Sequence, residues 1–263
     1  MKSGPDHDSH LSSVNDHSPL EPFILDILGP RLIESIVLIG SGGHGRVFRL
    51  NLRGHTYALK LFFSTNPLAY TTIRRGQHSE STLRTHYDPF FAECRAYASI
   101  IAHGANGTFA PFCYGSVMID RALELRLGRL YPEHSDWNRQ PEQGNECVKG
   151  ILTEFFDGVE LAGVELTREV VGGVRDGVEG MNKIGIVHGD VFPKNVLVST
   201  DKRVVWIDFS ASWTLPHIVG DLKYQDRQKS DRKSVELMFH VLSLVGLIIP
   251  HFVSHLLFSP RYC

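Results

Sequence analysis

The stretch HGDVFPKN at residues 188–195 is followed, after a short turn, by VVWIDFS at residues 204–210. Phosphoryl transfer needs a carboxylate that accepts or orients the incoming hydroxyl proton, and two oxygen ligands that hold Mg²⁺ against a triphosphate. Asp190 is placed for the first role, and Asn195 and Asp208 for the second. Any one of them could be an ordinary loop aspartate or strand-end asparagine, but the complete spacing arises by chance far less readily.

A glycine-rich turn, GSGGHGRV, lies upstream at residues 40–47. Gly40, Gly42 and Gly45 would let backbone N–H groups approach phosphate oxygens without a Cβ in the way. A plain glycine turn and a dinucleotide-binding loop are the alternatives. A dinucleotide-binding loop opens a helix, whereas a β-branched, strand-like segment starts at Val47 here. The pattern therefore favours a hairpin that covers phosphates.

Lys60 ends the motif YALK inside an apolar strand-like run. It could be a lysine at a strand edge, or a cation for the α- and β-phosphates of ATP that is held by a carboxylate on a nearby helix. Glu93 lies on the helix that Pro89 is expected to open, while the competing Glu80 lies in a polar segment read as a loop. The order of the motifs predicts the Lys60–Glu93 pair.

The composition is that of an ordinary globular protein. The chain has 263 residues, of which 42% are hydrophobic and 21% charged, and its net charge of −2 gives no support to a nucleic-acid partner. The four cysteines are far apart and the fourteen histidines are scattered, so neither a metal cage nor a disulfide framework is expected. No secretory signal is evident, and an intracellular, cytoplasmic protein is expected.

The chain divides into three parts. Residues 1–22 are a polar leader expected to be disordered, and residues 23–154 are rich in strand patterns. Two insertions, 64–88 and 120–149, interrupt this second part. Residues 155–263 are mainly helical apart from a small ribbon, and their apolar residues keep a helical period from 165 to 183.

Residues 237–260 contain no Asp, Glu, Lys or Arg, and that length could span a bilayer. The stretch is interrupted by polar residues and a proline, among them His240, His251, His255, Ser243, Ser254 and Pro250. We therefore expect a buried helix rather than a membrane anchor, with the anchor kept as the alternative.

The order of glycine turn, lysine, helix glutamate, H-x-D-x4-N and Asp-Phe resembles that of the protein-kinase-like superfamily. The glycine at position 189 is similar to the His-Gly-Asp of aminoglycoside and choline phosphotransferases, and residues 88–97 and 110–115 resemble fungal kinase-like proteins. The resemblance implies an α+β, two-lobed fold with a strand-rich N-lobe. The C-lobe would be shortened, possibly by truncation, and mainly helical.

The same resemblance implies ATP and Mg²⁺ as cofactors, with ATP in a cleft between the lobes. Val47, Ala58 and the hinge residue Glu154 would line the ATP site, and Lys194 would face the γ-phosphate. Asp231 would brace the catalytic loop. The acceptor would be an unknown hydroxyl-bearing substrate, either a protein or a small molecule.

Besides a kinase-like protein anchored to a membrane by residues 237–260, two functional hypotheses remain open. One is an active ATP-dependent phosphotransferase, because every charged group of the pattern is present. The other is a pseudokinase, an ATP-binding scaffold without turnover, because Ser210 replaces the glycine of Asp-Phe-Gly and little chain follows Asp231.

Overall fold

Five antiparallel strands form a sheet in the first part of the chain, in the order β1-β2-β3-β5-β4. The computed structural model describes residues 33–65, 78–139, 143 and 146–248. Buried and exposed residues alternate along the second strand, as a half-buried strand requires. The five strands are β1 Ile33–Ser41, β2 Gly45–Leu52, β3 His55–Phe62, β4 Cys113–Ile119 and β5 Val148–Glu154.

Helices and short strands make up the rest of the described chain. The helices are α1 Glu80–Tyr87, α2 Pro89–Ala102, α3 Arg121–Leu130, α4 Arg168–Lys183 and α5 Asp221–Ile248. The short strands are β6 Val159–Glu160, β7 Ile186–Val187, β8 Val196–Val198, β9 Val204–Trp206 and β10 Trp213–Thr214. Strands β6, β8 and β9 form one small sheet, and β7 pairs with β10.

The two faces of the main sheet belong to two different hydrophobic cores. On one face Phe48 and Leu59 pack with Leu123 and Leu127 of α3. Residues of the other face, including Ile151, join the core that holds α2, α4 and part of α5. This second core joins the sheet to the later helices, so it fixes the position of one relative to the other.

Helix α2 begins where the local sequence requires it. The Asp88 side chain accepts hydrogen bonds from the backbone N–H groups of Phe90 and Phe91, and Pro89 occupies the first turn. An aspartate cap followed by proline is a strong helix-start signal. The start at Pro89 sets the register that turns Glu93 toward β3.

Helix α4 forms although it contains four glycines, each of which disfavours a helix by up to about 1 kcal/mol relative to alanine. A Cβ on Gly177 would lie 2.6 Å from the Trp206 indole ring. The glycine therefore allows the helix to approach β9 closely. Packing against Trp206 and its neighbours supplies the stability that the helix lacks on its own.

Two segments that the sequence presented as insertions contain helices. The polar stretch 64–88 was expected to be a surface loop, but α1 occupies its end, capped by the Ser79 side chain. The stretch 120–149 contains α3, whose Leu123 and Leu127 are buried against the sheet. Leucines four residues apart form one helix face, and that periodicity was hidden by the surrounding charges.

The mixed α+β class is confirmed, with an antiparallel sheet first and mostly helices later. The predicted leader, residues 1–22, lies outside the described residues, as do 249–260 of the predicted apolar stretch. Helix α5 begins at Asp221, well before that stretch. Over residues 237–244, whose side chains are described, one face is buried and the other exposed, so the buried-helix prediction is right there for one face only. None of the helices in the described part of the chain combines the length and the apolar composition that a bilayer span requires.

Candidate functional site

Lys60 stands between two carboxylates at the junction of the sheet and the later helices. Its Nζ lies 2.5 Å from Glu93 Oε2 and 2.6 Å from Asp208 Oδ1. Glu93 is only 3% exposed, whereas the Asp208 side chain opens toward solvent. The predicted Lys60–Glu93 pair is present in the structure, and Asp208 joins it.

The face of the sheet that carries Lys60 also carries two other predicted ATP-site residues. Val47 is the register partner of Lys60, and Ala58 pairs with Arg49, two residues along β2 from Val47. Register partners and residues two apart share one face of a sheet. Val47, Ala58 and Lys60 therefore line the same surface, and all three are half-buried.

The charges of this triad are set by burial and by each other. Burial opposes the charged form of Lys60, but Glu93 and Asp208 outweigh it and raise the pKa of Lys60. Burial likewise raises the pKa of Asp208, yet the Lys60 charge and hydrogen bond reverse this and hold it below its usual range. For Glu93, burial raises the pKa and Lys60 limits the rise. Lys60 and Asp208 are thus ionised at neutral pH.

Asp190 and Asn195 are held together by the turn between β7 and β8. Asn195 Nδ2 donates to both the backbone carbonyl and Oδ2 of Asp190, each at 2.8 Å. The Asn195 side chain is buried, and its position fixes the direction of the Asp190 carboxylate. The structure therefore brings together the residues predicted to orient a hydroxyl and to bind metal.

The backbone before Asp190 is fixed from two directions. Gly189 has φ +79°, and a Cβ there would lie 2.5 Å from both the Ala211 carbonyl oxygen and Arg227 Nη2. The Gly189 N–H donates to Asp231 Oδ2 at 3.0 Å, and Arg227 donates to the Gly189 carbonyl at 3.2 Å. The bracing role expected for Asp231 is present, although Asp231 lies ten residues inside α5 rather than at its start.

The glycine turn closes over Asp208 through two side chains. Ser210 donates its hydroxyl proton to Asp208 Oδ1 at 2.5 Å, so Ser210 Oγ accepts from His44 Nδ1 at 2.7 Å. Burial lowers the pKa of His44 and so favours the neutral imidazole, and the tautomer with its proton on Nδ1 supplies the donor for this contact. A hydrogen-bond chain thus links the turn between β1 and β2 to Asp208.

The three predicted glycines have different surroundings. A Cβ on Gly42 would meet nothing within 4 Å, and one on Gly40 would only touch Val47. A Cβ on Gly45 would lie 2.2 Å from the Leu61 carbonyl oxygen. Packing against β3 therefore requires a glycine at position 45, independently of any phosphate. The space above Gly42, in contrast, is open to a ligand.

Two predicted site residues lie at the margin of the cluster. Lys194 is exposed, with Nζ 3.7 Å from Asp190 Oδ2, so it can swing toward a bound anion. The Glu154 carboxylate is already engaged, accepting from the Phe112 N–H at 3.0 Å and from Arg203 at 2.6 Å. The Glu154 backbone N–H also donates to the Phe112 carbonyl at 2.8 Å, so both its carboxylate and its N–H are already bonded within the protein.

The donor set fits a magnesium ion that shares its ligands with phosphate. No group of three His, Cys, Asp or Glu residues able to hold a metal occurs in the described part of the chain. Mg²⁺, however, usually takes one or two protein oxygens together with phosphates and waters. Asp208 Oδ2 and Asn195 Oδ1 accept no hydrogen bond from any described residue, so both remain available.

Sequence reasoning missed His44 and Arg227 as parts of this site. His44 could have been noticed as a polar side chain at the tip of a glycine turn. Arg227 gave no local signal, because its partners Gly189 and Ala211 are far from it along the chain. Ser210 was considered only as a replacement for glycine, and its bond to Asp208 was not foreseen.

These features define an α+β protein with a lysine, an asparagine and three carboxylates gathered where the sheet meets the later helices. The chain belongs to the family described as kinetochore Sim4 complex subunit FTA2, whose model matches residues 9–213. No curated protein matches the chain.

The family match corrects the resemblance drawn from the motifs. The assignment to the protein-kinase-like superfamily, with fungal kinase-like proteins and aminoglycoside or choline phosphotransferases as its nearest likenesses, is wrong as a family assignment. The resemblance rested on a few site side chains, such as Lys60, Asp190 and Asp208, and these indicate the chemistry of a site rather than the family of a chain. The family match, in contrast, extends over most of the chain, residues 9–213.

Proposed function

We propose that this chain works as a subunit of a kinetochore complex and that its main partners are proteins. Membership of the FTA2 family carries this part of the proposal. A kinetochore role puts the protein in the nucleus, in place of the cytoplasmic location expected from the sequence.

We further propose that the cluster around Lys60 binds ATP with Mg²⁺ and transfers the γ-phosphoryl group to a hydroxyl acceptor. The observation that carries this proposal is the position of Lys60 between Glu93 and Asp208. Asn195, which holds Asp190, is joined to the residue before Asp208, because the Ile207 N–H donates to the Asn195 carbonyl at 2.9 Å. The fold required is two-lobed, with the nucleotide between the sheet and the later helices. A half-buried cation between carboxylates needs a reason, because charged groups are costly to desolvate.

Each side chain has a role that follows from its environment. Lys60 supplies positive charge for phosphate oxygens, and Glu93 keeps the lysine side chain extended toward the cleft. Asp208 and Asn195 would hold Mg²⁺, which when bound neutralises charge on the phosphates. Asp190, fixed by Asn195, accepts a hydrogen bond from the acceptor hydroxyl and so orients it.

A second function, an ATP-binding scaffold without turnover, is favoured by one specific observation. Asp208 Oδ1 already accepts from both Lys60 and Ser210, and His44 closes the glycine turn onto Ser210. A site closed in this way would hold a nucleotide that stabilises the fold without being turned over. The family description, a complex subunit, agrees with such a role.

Turnover of labelled ATP separates the two functions. The purified full chain is incubated with γ-labelled ATP and Mg²⁺, with pools of small molecules or generic proteins as acceptors. Phosphotransfer predicts label in an acceptor, reduced by about 10²–10⁴ in Asp190→Ala and abolished in Asp208→Ala. Equal turnover in the three proteins contradicts the proposal. Nucleotide-dependent thermal stabilisation with no transfer supports the scaffold instead.

A further inference from the structure

Apart from the contacts of His44, the glycine turn has little packing of its own. Residues 41–44 are exposed, and a Cβ on Gly42 would meet nothing within 4 Å. Inside the turn, the Gly42 N–H donates to the Gly45 carbonyl at 2.9 Å. A segment with few buried contacts opens easily. The position of the turn must therefore be set by β1 and β2, the two strands from which it projects.

Tyr131, the residue after α3, holds the outer edge of β1. Its hydroxyl donates to the Ile36 carbonyl at 3.1 Å and accepts from the Leu38 N–H at 3.2 Å. A neighbouring strand would supply the same donor and acceptor, and β1 is an edge strand of the described sheet. The Tyr131 ring also lies against Phe48 of β2, with 5.9 Å between the ring centroids. One side chain thus fixes β1 shortly before the glycine turn begins.

Arg46, the second residue of β2, anchors the other strand. Arg46 is 5% exposed, and its guanidinium carbon lies 4.6 Å from the centroid of the Phe63 ring and 4.8 Å from that of Trp137. Its Nη1 donates to the Asp136 carbonyl at 2.8 Å. A desolvated cation between two aromatic rings is held more strongly than one in water. The start of β2 is therefore fixed directly after the turn.

Both anchors involve one short segment, residues 131–137, on the face of the sheet opposite Lys60. Trp137 is buried in the core of that face together with leucines of α3. Successive residues of a strand point to opposite faces, so Arg46 reaches this segment while Val47 lies on the Lys60 side. The segment therefore holds both strands of the glycine hairpin from behind.

We propose that residues 131–137 form a clamp that sets the position of the glycine turn, with Arg46 and Tyr131 as positioning residues for the nucleotide site. The functional part of this inference rests on the proposed binding of ATP. A turn that is already held in place beside Lys60 presents its N–H groups to phosphate without an ordering cost at binding. The stretch 120–149, expected from the sequence to be an insertion, thereby contributes to nucleotide affinity from the far face of the sheet.

Hydrogen–deuterium exchange of the nucleotide-free full chain measures the clamp directly. Tyr131→Phe removes only the hydroxyl, and Arg46→Met keeps the apolar stem but removes the guanidinium. Relative to the β5 amides of the same protein, each should speed exchange of amides 40–45 at least about threefold, and the double variant at least about tenfold. Arg46→Lys keeps a cation between the two rings and should restore most of the protection.

Arg139→Met is the matched control. Arg139 lies two residues after Trp137, and its guanidinium donates to the Glu124 carboxylate at 2.5 and 2.9 Å and to the Glu146 carbonyl at 2.8 Å, which are partners outside the glycine hairpin. The variant should lower the free energy of unfolding and leave exchange of the turn unchanged. Equal acceleration in the control, or acceleration of the β5 amides as large as that of the turn, would overturn the clamp.

Calorimetric titration of ATP with Mg²⁺ tests the functional consequence. The double variant should weaken binding at least about fivefold, because the turn must then be ordered at binding, whereas Arg139→Met should leave the affinity unchanged. Unchanged affinity in the double variant, despite faster exchange of its turn, overturns the positioning role. Absence of binding in the wild type contradicts the nucleotide site itself, and the exchange rates then still decide whether residues 131–137 hold the turn.

Discussion

Replacing Lys60 by methionine tests whether the buried cation holds the two carboxylates together. Methionine keeps the apolar stem of the lysine and removes the charge that lies 2.5 Å from Glu93 and 2.6 Å from Asp208. The two carboxylates then face each other without a cation. Glu93 is affected more than Asp208, because it is only 3% exposed and water cannot reach it.

The magnitude follows from the loss of the ion pair, offset by proton uptake at Glu93, because burial raises the pKa of Glu93 to about 7 even beside Lys60 and removal of the lysine raises it further. Removing one partner of a buried ion pair typically costs about 3–5 kcal/mol, and protonation of Glu93 brings the expected loss down to about 2–3 kcal/mol. For a domain of this size that loss lowers the melting temperature by roughly 4–12 °C. Glu93→Gln alone should cost less, about 1–2 kcal/mol, because Lys60 keeps Asp208 as a partner. The double variant should be more stable than Lys60→Met, since no buried carboxylate remains beside Asp208.

Urea unfolding of the four proteins at one pH gives the free energies of unfolding and the coupling between the two positions. Lys149→Met is the control. Lys149 lies in the adjacent strand β5, and its Nζ is within ion-pair distance of no carboxylate in the described part of the chain. Its loss should be about 1 kcal/mol or less. Strictly additive losses at Lys60 and Glu93, or an effect no larger than the control, would refute the reasoning.

Two further predictions concern stability outside the site. Gly177→Ala should lower the free energy of unfolding by about 1–3 kcal/mol, because its Cβ would lie 2.6 Å from Trp206. Gly172→Ala, whose Cβ would meet nothing within 4 Å, should instead raise it by up to about 1 kcal/mol. Thermal unfolding compares the two variants. Burial lowers the pKa of His86 to about 4 and that of His217 to about 3, with neighbouring positive groups adding to the effect. Because both pKa values are lower in the folded state than the usual 6.5, protonation favours the unfolded state. The free energy of unfolding is therefore highest above about pH 6.5 and decreases as the pH falls below it. Allowing for solvent access, urea unfolding should show a loss of about 2 kcal/mol at pH 5, and His217→Gln should remove much of this pH dependence.

Local signals predicted the parts of the fold that depend on neighbouring residues. The Asp88 cap stands directly before α2 and Pro89 is the first residue of that helix, and β2 shows the alternation of a half-buried strand. The stretch around α3 was misread for the opposite reason. Leu123 and Leu127 stand among charges, and only the sheet face opposite them shows that they are core residues.

The candidate site follows the same division. Lys60, Glu93, Asp190, Asn195 and Asp208 were identified from motif order, since each motif carries its spacing in the sequence. The chain from His44 through Ser210 to Asp208 joins segments 166 residues apart, so no local pattern could indicate it. The apolar stretch from residue 237 was read as buried because composition cannot distinguish the covered face of α5 from the exposed one.

Isothermal titration calorimetry of ATP, with and without Mg²⁺, tests the central claim most directly. The account predicts saturable binding of one ATP per chain that requires Mg²⁺. Asp208→Asn should weaken it at least about tenfold, because it removes the carboxylate charge from the metal site. Thermal unfolding of the variant shows whether it remains folded. Absence of binding heat in the wild type, or equal affinity in Asp208→Asn and wild type, would contradict the assignment of a nucleotide site.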